Sequence, residues 1–309
     1  MSIIQNANTL KGKKLHDGMI KSRGTRMGDW IVAAVCFILI LACILPMLHV
    51  LASSLSSAPA LQRGDVFIWP KGWNFNAYYK VLNTEKYARS LGFTAILTIG
   101  CTLLSISLTI CAAYPLIYPN LKGGKIISLL MLLTMYFSAG TIPNYLLLKQ
   151  LGMLDNPMAL IFPNCISVFN VIIMRSFFYG VPDSLREAAE IDGAGPIRVL
   201  IRVYLPLSLP VIATLSLFYA VGRWNGFSDA LIYIKNEDYY PIQLMLYNLI
   251  KNNTQTADSA VMEAGNILPG ETQTVQMATV MFATVPILIV YPFLQRYFVS
   301  GVTIGAVKG

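Results

Sequence analysis

The stretch WIVAAVCFILILACILPMLHVL, from Trp30 to Leu51, is 22 residues long and carries no formal charge. Wound as a helix at about 1.5 Å per residue it reaches roughly 33 Å, enough to cross the hydrocarbon core of a bilayer. Five further apolar runs follow, near 91–118, 126–148, 158–179, 206–224 and 275–298, with Arg175, Arg223 and Arg296 each close to a span end. Lipid offers no partner to a free backbone N–H or C=O, so such runs cross as helices. The expected fold is therefore all-α, a polytopic membrane protein with six transmembrane helices. Its expected parts are a leader (1–29), a six-helix domain (30–298) and a tail (299–309). Composition agrees: only 15 Asp and Glu occur in 309 residues and the mean hydropathy is +0.59, too little polar side chain to cover a water-soluble globule.

The basic leader and the ILAC ending at Cys43 have the look of a signal peptide. The apolar run continues well past Cys43, however, and reads as a retained anchor. Lys and Arg placement sets the orientation. Lys11, Lys13, Lys14, Lys21, Arg23 and Arg26 put the N-terminus in the cytoplasm, and six spans return the C-terminus there. The inside-facing regions then hold 14 of the 23 basic residues, whereas 226–274 has two Lys against six acidic residues. The net charge of +8 is explained by this asymmetry and by anionic lipid, without nucleic acid. The five cysteines all fall in spans, which argues against a disulfide framework or a zinc site.

Charge inside this apolar chain collects in REAAEIDGAGPIRVLIRVYLP, residues 186–206, on the cytoplasmic side of that topology. The local rules predict a short helix over Leu185–Asp192: Ser184 as N-cap with Glu187 reaching back in a capping box, Gly193 as a left-handed stop, and Pro196 opening the next helix. A helix this short needs something to hold it. The residues alone leave two readings open, a solvated connection or a helix that docks into another protein.

The spacing E-A-A, three residues, G, nine residues, I, one residue, L-P resembles the cytoplasmic signature of permease subunits of binding-protein-dependent ABC importers. Glu187, Ala188, Ala189, Gly193, Leu205 and Pro206 fall in register, with Val203 in the isoleucine place. GRWNGF (222–227) and the tail SGVTIGAVKG resemble the carbohydrate-uptake branch, in particular the smaller permease of maltose-type importers. The resemblance implies the type I importer permease fold in a bacterial cytoplasmic membrane. It also implies a second homologous permease, two ABC ATPase subunits, an extracytoplasmic solute-binding protein, and a coupling helix that docks on an ATPase. Glu187, Ala188, Ala189, Asp192, Gly193, Leu205 and Pro206 are then the coupling residues, and Gly305, Lys308 and Gly309 a second docking point.

No G-x-x-x-x-G-K-[ST] occurs, and neither a catalytic constellation nor a metal cluster is legible. The chain is expected to bind no cofactor and to have no catalytic or metal residues, with ATP and Mg on the partner ATPases. Tyr136, Asn144, Asn164, Asn170, Trp224 and Asn225 are candidate pathway residues, being neutral, amide or aromatic groups suited to a sugar. They serve equally as interface anchors or interhelical glue. Pro163, Pro286 and Pro292 are candidate kinks, and Arg175 and Arg223 are expected to snorkel to the interface. The outer segment 226–274 either receives the binding protein or caps the bundle. The reading is an oligosaccharide importer permease. Its rivals are a permease for a non-sugar solute and a self-sufficient channel or secondary transporter; the last needs a coupling-ion site, and no carboxylate lies within the spans.

Overall fold

The computed structural model describes residues 23–259 and 269–306, so much of the leader, together with Lys308 and Gly309 of the tail, lies outside the described residues. The chain divides into two compact units, Met1–His49 and Val50–Gly309. Helix α1 (Arg23–Ser54) begins in the first unit, and its described side chains up to Met47 are exposed and nearly all apolar. Such a surface suits lipid rather than water.

In the second unit α2 (Ala58–Gln62) and α3 (Asn76–Asn83) are short and lead to α4 (Glu85–Ala113), which a 3₁₀ turn extends to Ile117. Among the described residues three helices are long and apolar enough to cross a membrane on their own: α1, α4 and the last helix. Three bent pairs bring the number of possible spans to six.

The bends correct the expectation of plain spans. The predicted span 126–148 is two helices, α5 (Gly124–Tyr136) and α6 (Thr141–Gln150), meeting at 114°. Gly140, at φ 90° and ψ 174°, occupies backbone space open essentially to glycine alone, so the chain turns there instead of continuing. The predicted span 158–179 is α7 (Met158–Ile161), a 3₁₀ turn containing Pro163, and α8 (Val168–Tyr179), bent by 49°. After α9 (Asp183–Ile191), the predicted fifth span enters through α10 (Pro196–Val199), a π-helical stretch (Leu200–Tyr204) and α11 (Leu205–Leu207). It turns by 82° at Ser208 into α12 (Leu209–Asn225). Pro206 and Pro210 lack the N–H groups that would stitch this bend into a straight helix.

The segment after α12 forms α13 (Ser228–Tyr233), a 3₁₀ turn (Glu237–Tyr239) and α14 (Ile242–Ser259). The last helix, α15 (Pro269–Ala306), runs through Pro286 and Pro292 without a break, so neither divides the span.

Helix α4 is the axis against which α8, α12 and α14 pack, and α15 lies on α12, α2 and α3. Its buried face carries Ser90, Thr94, Thr98, Cys101, Ser105, Thr109 and Ala113, small residues every three or four positions that let neighbouring backbones approach. Near its first turn, Lys86 meets Glu237 at 2.5 Å and Arg89 pairs with Asp238, while the Thr94 hydroxyl accepts the Ile242 N–H at 2.9 Å. Asp155 steadies the same segment, accepting N–H groups of Asn236 (2.7 Å) and Lys235 (2.9 Å), which hold its carboxyl below the usual range. At its other end Tyr114 touches the loop at Pro196. Along α4 the distance from Lys86 to Tyr114 is about 42 Å, and from Thr94 about 30 Å.

Candidate coupling loop and transmembrane cavity

Helix α9 differs at its start from the sequence expectation. It begins at Asp183 behind Pro182, and no side chain caps it, so the Ser184–Glu187 box does not form. Proline fixes the entry, Asp183 places a carboxylate in the first turn where the helix dipole favours it, and Arg186 draws the acids together. Its guanidinium lies 3.4 Å from Asp183, 3.2 Å from Glu190 and 3.9 Å from Glu187.

The end of α9 is as expected. Gly193 has φ 77°, the Gly193 N–H donates to Glu190 O and the Ala194 N–H to Ala189 O, both at 3.0 Å, which is a Schellman closure. Ala189 and Ala194 pack on one core with Val171, Met174, Phe178, Val199 and Tyr204. Glu187, Ala188, Ile191, Asp192 and Gly193 stay exposed, Ile191 at 86%. The helix therefore keeps one side on the core and offers a mixed acidic and apolar side outward. Leu205 and Pro206 lie apart from it, in the leg that ends at the 82° bend.

An aromatic cluster carries the loop. Tyr114 meets Tyr118 and Tyr204 edge-on at 5.4 Å and Phe178 at 6.3 Å, and Phe178 meets Tyr204 at 5.5 Å. The Tyr114 hydroxyl donates to Pro196 O at 2.9 Å and shares a 2.6 Å hydrogen bond with Tyr118, over whose ring Arg186 sits at 5.8 Å. Tyr114→Phe is expected to loosen the 193–196 turn at a cost of about 1 kcal/mol. Faster hydrogen exchange of the Ala194 amide would register it, with α9 otherwise intact.

Midway along α4 lies a cavity of about 650 Å³ between α4, α7, α8, α12 and the start of α13. Of the candidate pathway residues, Asn164, Asn170 and Asn225 line it, together with Ser105, Ser167, Tyr219 and the rings of Phe169, Phe218 and Phe227. Tyr136 and Asn144 are exposed elsewhere, and the Trp224 indole donates to Ala283 O at 3.2 Å, a packing role. Two neutral side chains of buried residues face the cavity with unused hydrogen-bonding capacity: among the described residues neither the Asn170 amide (residue 5% exposed) nor the Ser105 hydroxyl (1%) has a partner, and the Nε of Arg223 in the cavity wall has none either. Tyr219 is engaged, sharing a 2.7 Å hydrogen bond with Thr109 and accepting the Ser167 N–H at 3.1 Å. Ser105 is neither an amide nor an aromatic residue; its signal in the sequence is the stripe of small hydroxyl residues along α4.

The cavity wall also corrects the reading of Arg223. It is buried at 8% exposure and does not snorkel. Its two Nη atoms donate to both Asp229 oxygens (2.5 and 3.0 Å), to Leu160 O and to Gly226 O (both 3.1 Å). Asp229, read from sequence as an outer acidic residue, is the counterion that neutralises it. Arg175 is likewise held, donating to Ser128 Oγ at 3.0 Å and the Tyr179 hydroxyl at 3.1 Å.

These features define a class: a multi-pass, all-helical membrane protein with a polar cavity amid its spans and a charged helical loop at one end. Residues 102–304 match the family described as binding-protein-dependent transport system inner membrane component, and the chain belongs to it. It is a permease subunit with the type I ABC importer fold. Protein LplC of Bacillus subtilis is 42% identical over 86% of this chain and 90% of its own length. The polygalacturonan/rhamnogalacturonan transport system permease YtcP of the same organism is 37% identical over 92% and 99%. A solved structure of a bacterial ABC transporter involved in the import of the acidic polysaccharide alginate superposes with a TM-score of 0.81 at 32% identity, covering 90% of this chain and 98% of that one.

Proposed function

We propose that this permease subunit imports an oligosaccharide, with a second permease completing the pathway and two ATPase subunits supplying the energy. The observation that carries this reading is the cavity: the Asn170 amide and the Ser105 hydroxyl, both with unused hydrogen-bonding capacity, lie beside aromatic rings, a combination suited to sugar hydroxyls and ring faces. The names of the relatives point to saccharides as well. Arg223 offers no free charge to an anion, because Asp229 neutralises it.

The loop at 183–196 is the coupling element in this reading. ATP and Mg are held by the partners, whose closure draws on Glu187, Ala188, Ile191 and Gly193 and passes through Tyr114 and Tyr204 into the spans around the cavity. Differential contact of α9 with the partner's two states supplies the shift. Gly305, at the end of α15, with Lys308 and Gly309 forms the second docking point, and both termini lie in the cytoplasm. A solute-binding protein delivers the sugar at the opposite end.

The test is uptake of a panel of labelled oligosaccharides in cells carrying the complete transporter. Asn170→Ala is expected to raise the half-saturating concentration about fivefold to tenfold, by removing a hydrogen bond worth about 1–1.5 kcal/mol, with the amount in the membrane unchanged. Unaltered uptake in that variant and in Ser105→Ala would remove the cavity from the pathway.

A further inference from the structure

Three arginines of the described chain are drawn at least partly out of solvent: Arg175, Arg186 and Arg223. Arg186 and Arg223 each face carboxylates. Arg175 faces none among the described residues; its acceptors are the Ser128 and Tyr179 hydroxyls, and its charge lies 5.3 Å from the Tyr179 ring. Three of its five N–H donors have no acceptor among the described residues, and the Nε atom is shielded from solvent. A half-buried charge with hydroxyl partners alone is costly, so a counterion from outside the chain is favoured.

The surroundings indicate which anion. Ser128 stands on α5 and fixes the guanidinium against that helix while donating to Gly124 O at 2.8 Å. One turn earlier Lys125 is exposed and also without a described carboxylate partner, and i,i+3 positions are neighbours on a helix surface. Directly beyond these two cations α5 presents Ile126 (65% exposed), Leu129 (57%) and Leu130 (56%). Two positive groups above a strip of exposed aliphatic side chains at the end of a membrane helix match one kind of molecule, an anion attached to acyl chains.

We propose that Arg175 and Lys125 bind the phosphate of an anionic phospholipid at the junction of α5 and α8, with the acyl chains lying along Ile126, Leu129 and Leu130. The site bears on the loop. The Tyr179 hydroxyl, which accepts from Arg175, donates to Leu116 O at 3.2 Å, and α9 begins four residues after Tyr179. A lipid in place therefore braces the base of α9, independently of which solute is carried.

The probe is the full-length chain with the partners that accompany it, exchanged in mild detergent against vesicles of phosphatidylglycerol or of phosphatidylcholine. Native mass spectrometry then reads the retained lipid. The wild type is expected to retain phosphatidylglycerol in preference, with Arg175→Gln and Lys125→Gln each lowering retention about fivefold and Arg175→Lys keeping most of it. Lys125 is exposed and serves if Arg175→Gln fails to fold. Equal retention of the two lipids, or unchanged phosphatidylglycerol in Lys125→Gln, would overturn the site. Displacement by inorganic phosphate alone would also overturn it, by making it an ion site rather than a lipid site.

Discussion

Replacing Asp229 with alanine is expected to destabilise the subunit by about 3–5 kcal/mol, because it strands the Arg223 guanidinium in the cavity wall without its counterion. Both partners are withdrawn from solvent, with side-chain exposures of 7% for Arg223 and 17% for Asp229, so screening relieves little of the loss. The same guanidinium ties Leu160 O to Gly226 O, and its release would free the turn that leads into α13 from α7. Arg223→Leu combined with Asp229→Leu should recover most of the stability, since an ion pair removed whole leaves no orphan charge. Thermal unfolding of the detergent-solubilised protein distinguishes the cases. A midpoint for Asp229→Ala equal to that of the wild type would show the pair to be idle.

Glu187→Lys is expected to reduce solute uptake more than tenfold while the protein reaches the membrane in normal amounts. Glu187 is exposed and its nearest ionic partner, Arg186, is 3.9 Å away, so reversing its charge disturbs the fold little and a docked partner a great deal. Gly193→Val should act through the backbone. A Cβ at this position would meet nothing within 4 Å beyond its chain neighbours, but φ 77° costs an L-residue roughly 1–2 kcal/mol and a β-branched one more. Gly193→Asn, which tolerates the left-handed region, should retain most uptake. Uptake at the wild-type rate in Glu187→Lys and Gly193→Val together would return the loop to a solvated connection.

What was legible in the sequence followed from short-range rules. A run of about 20 apolar residues has few ways to satisfy its backbone in lipid, so Trp30–Leu51 is helical on composition alone, and Gly193 followed by Pro196 ends one helix and opens the next wherever they stand. The capping box failed because two local signals competed, and Pro182 with Asp183 set the helix start one residue ahead of Ser184.

The apolar segments, their largely helical state and the place of the charged loop were legible locally, since each depends on residues within a turn or two of one another, whereas the breaks of 114° and 82° were not, and that of 49° only as a candidate kink at Pro163. Tertiary structure alone decided which polar groups meet. Ser105 and Asn170 share a cavity only because α8 packs on α4, and Tyr114 reaches Pro196 only because the leg from α10 to α11 bends back by 82°. Arg223 and Asp229 are six residues apart, yet their pairing depends on the turn at Gly226 between α12 and α13 and on the carbonyl of Leu160. The physical reason is one of range: hydropathy and backbone preference act locally, whereas burial of a charge or a hydroxyl is fixed by helices that the chain brings together from far apart.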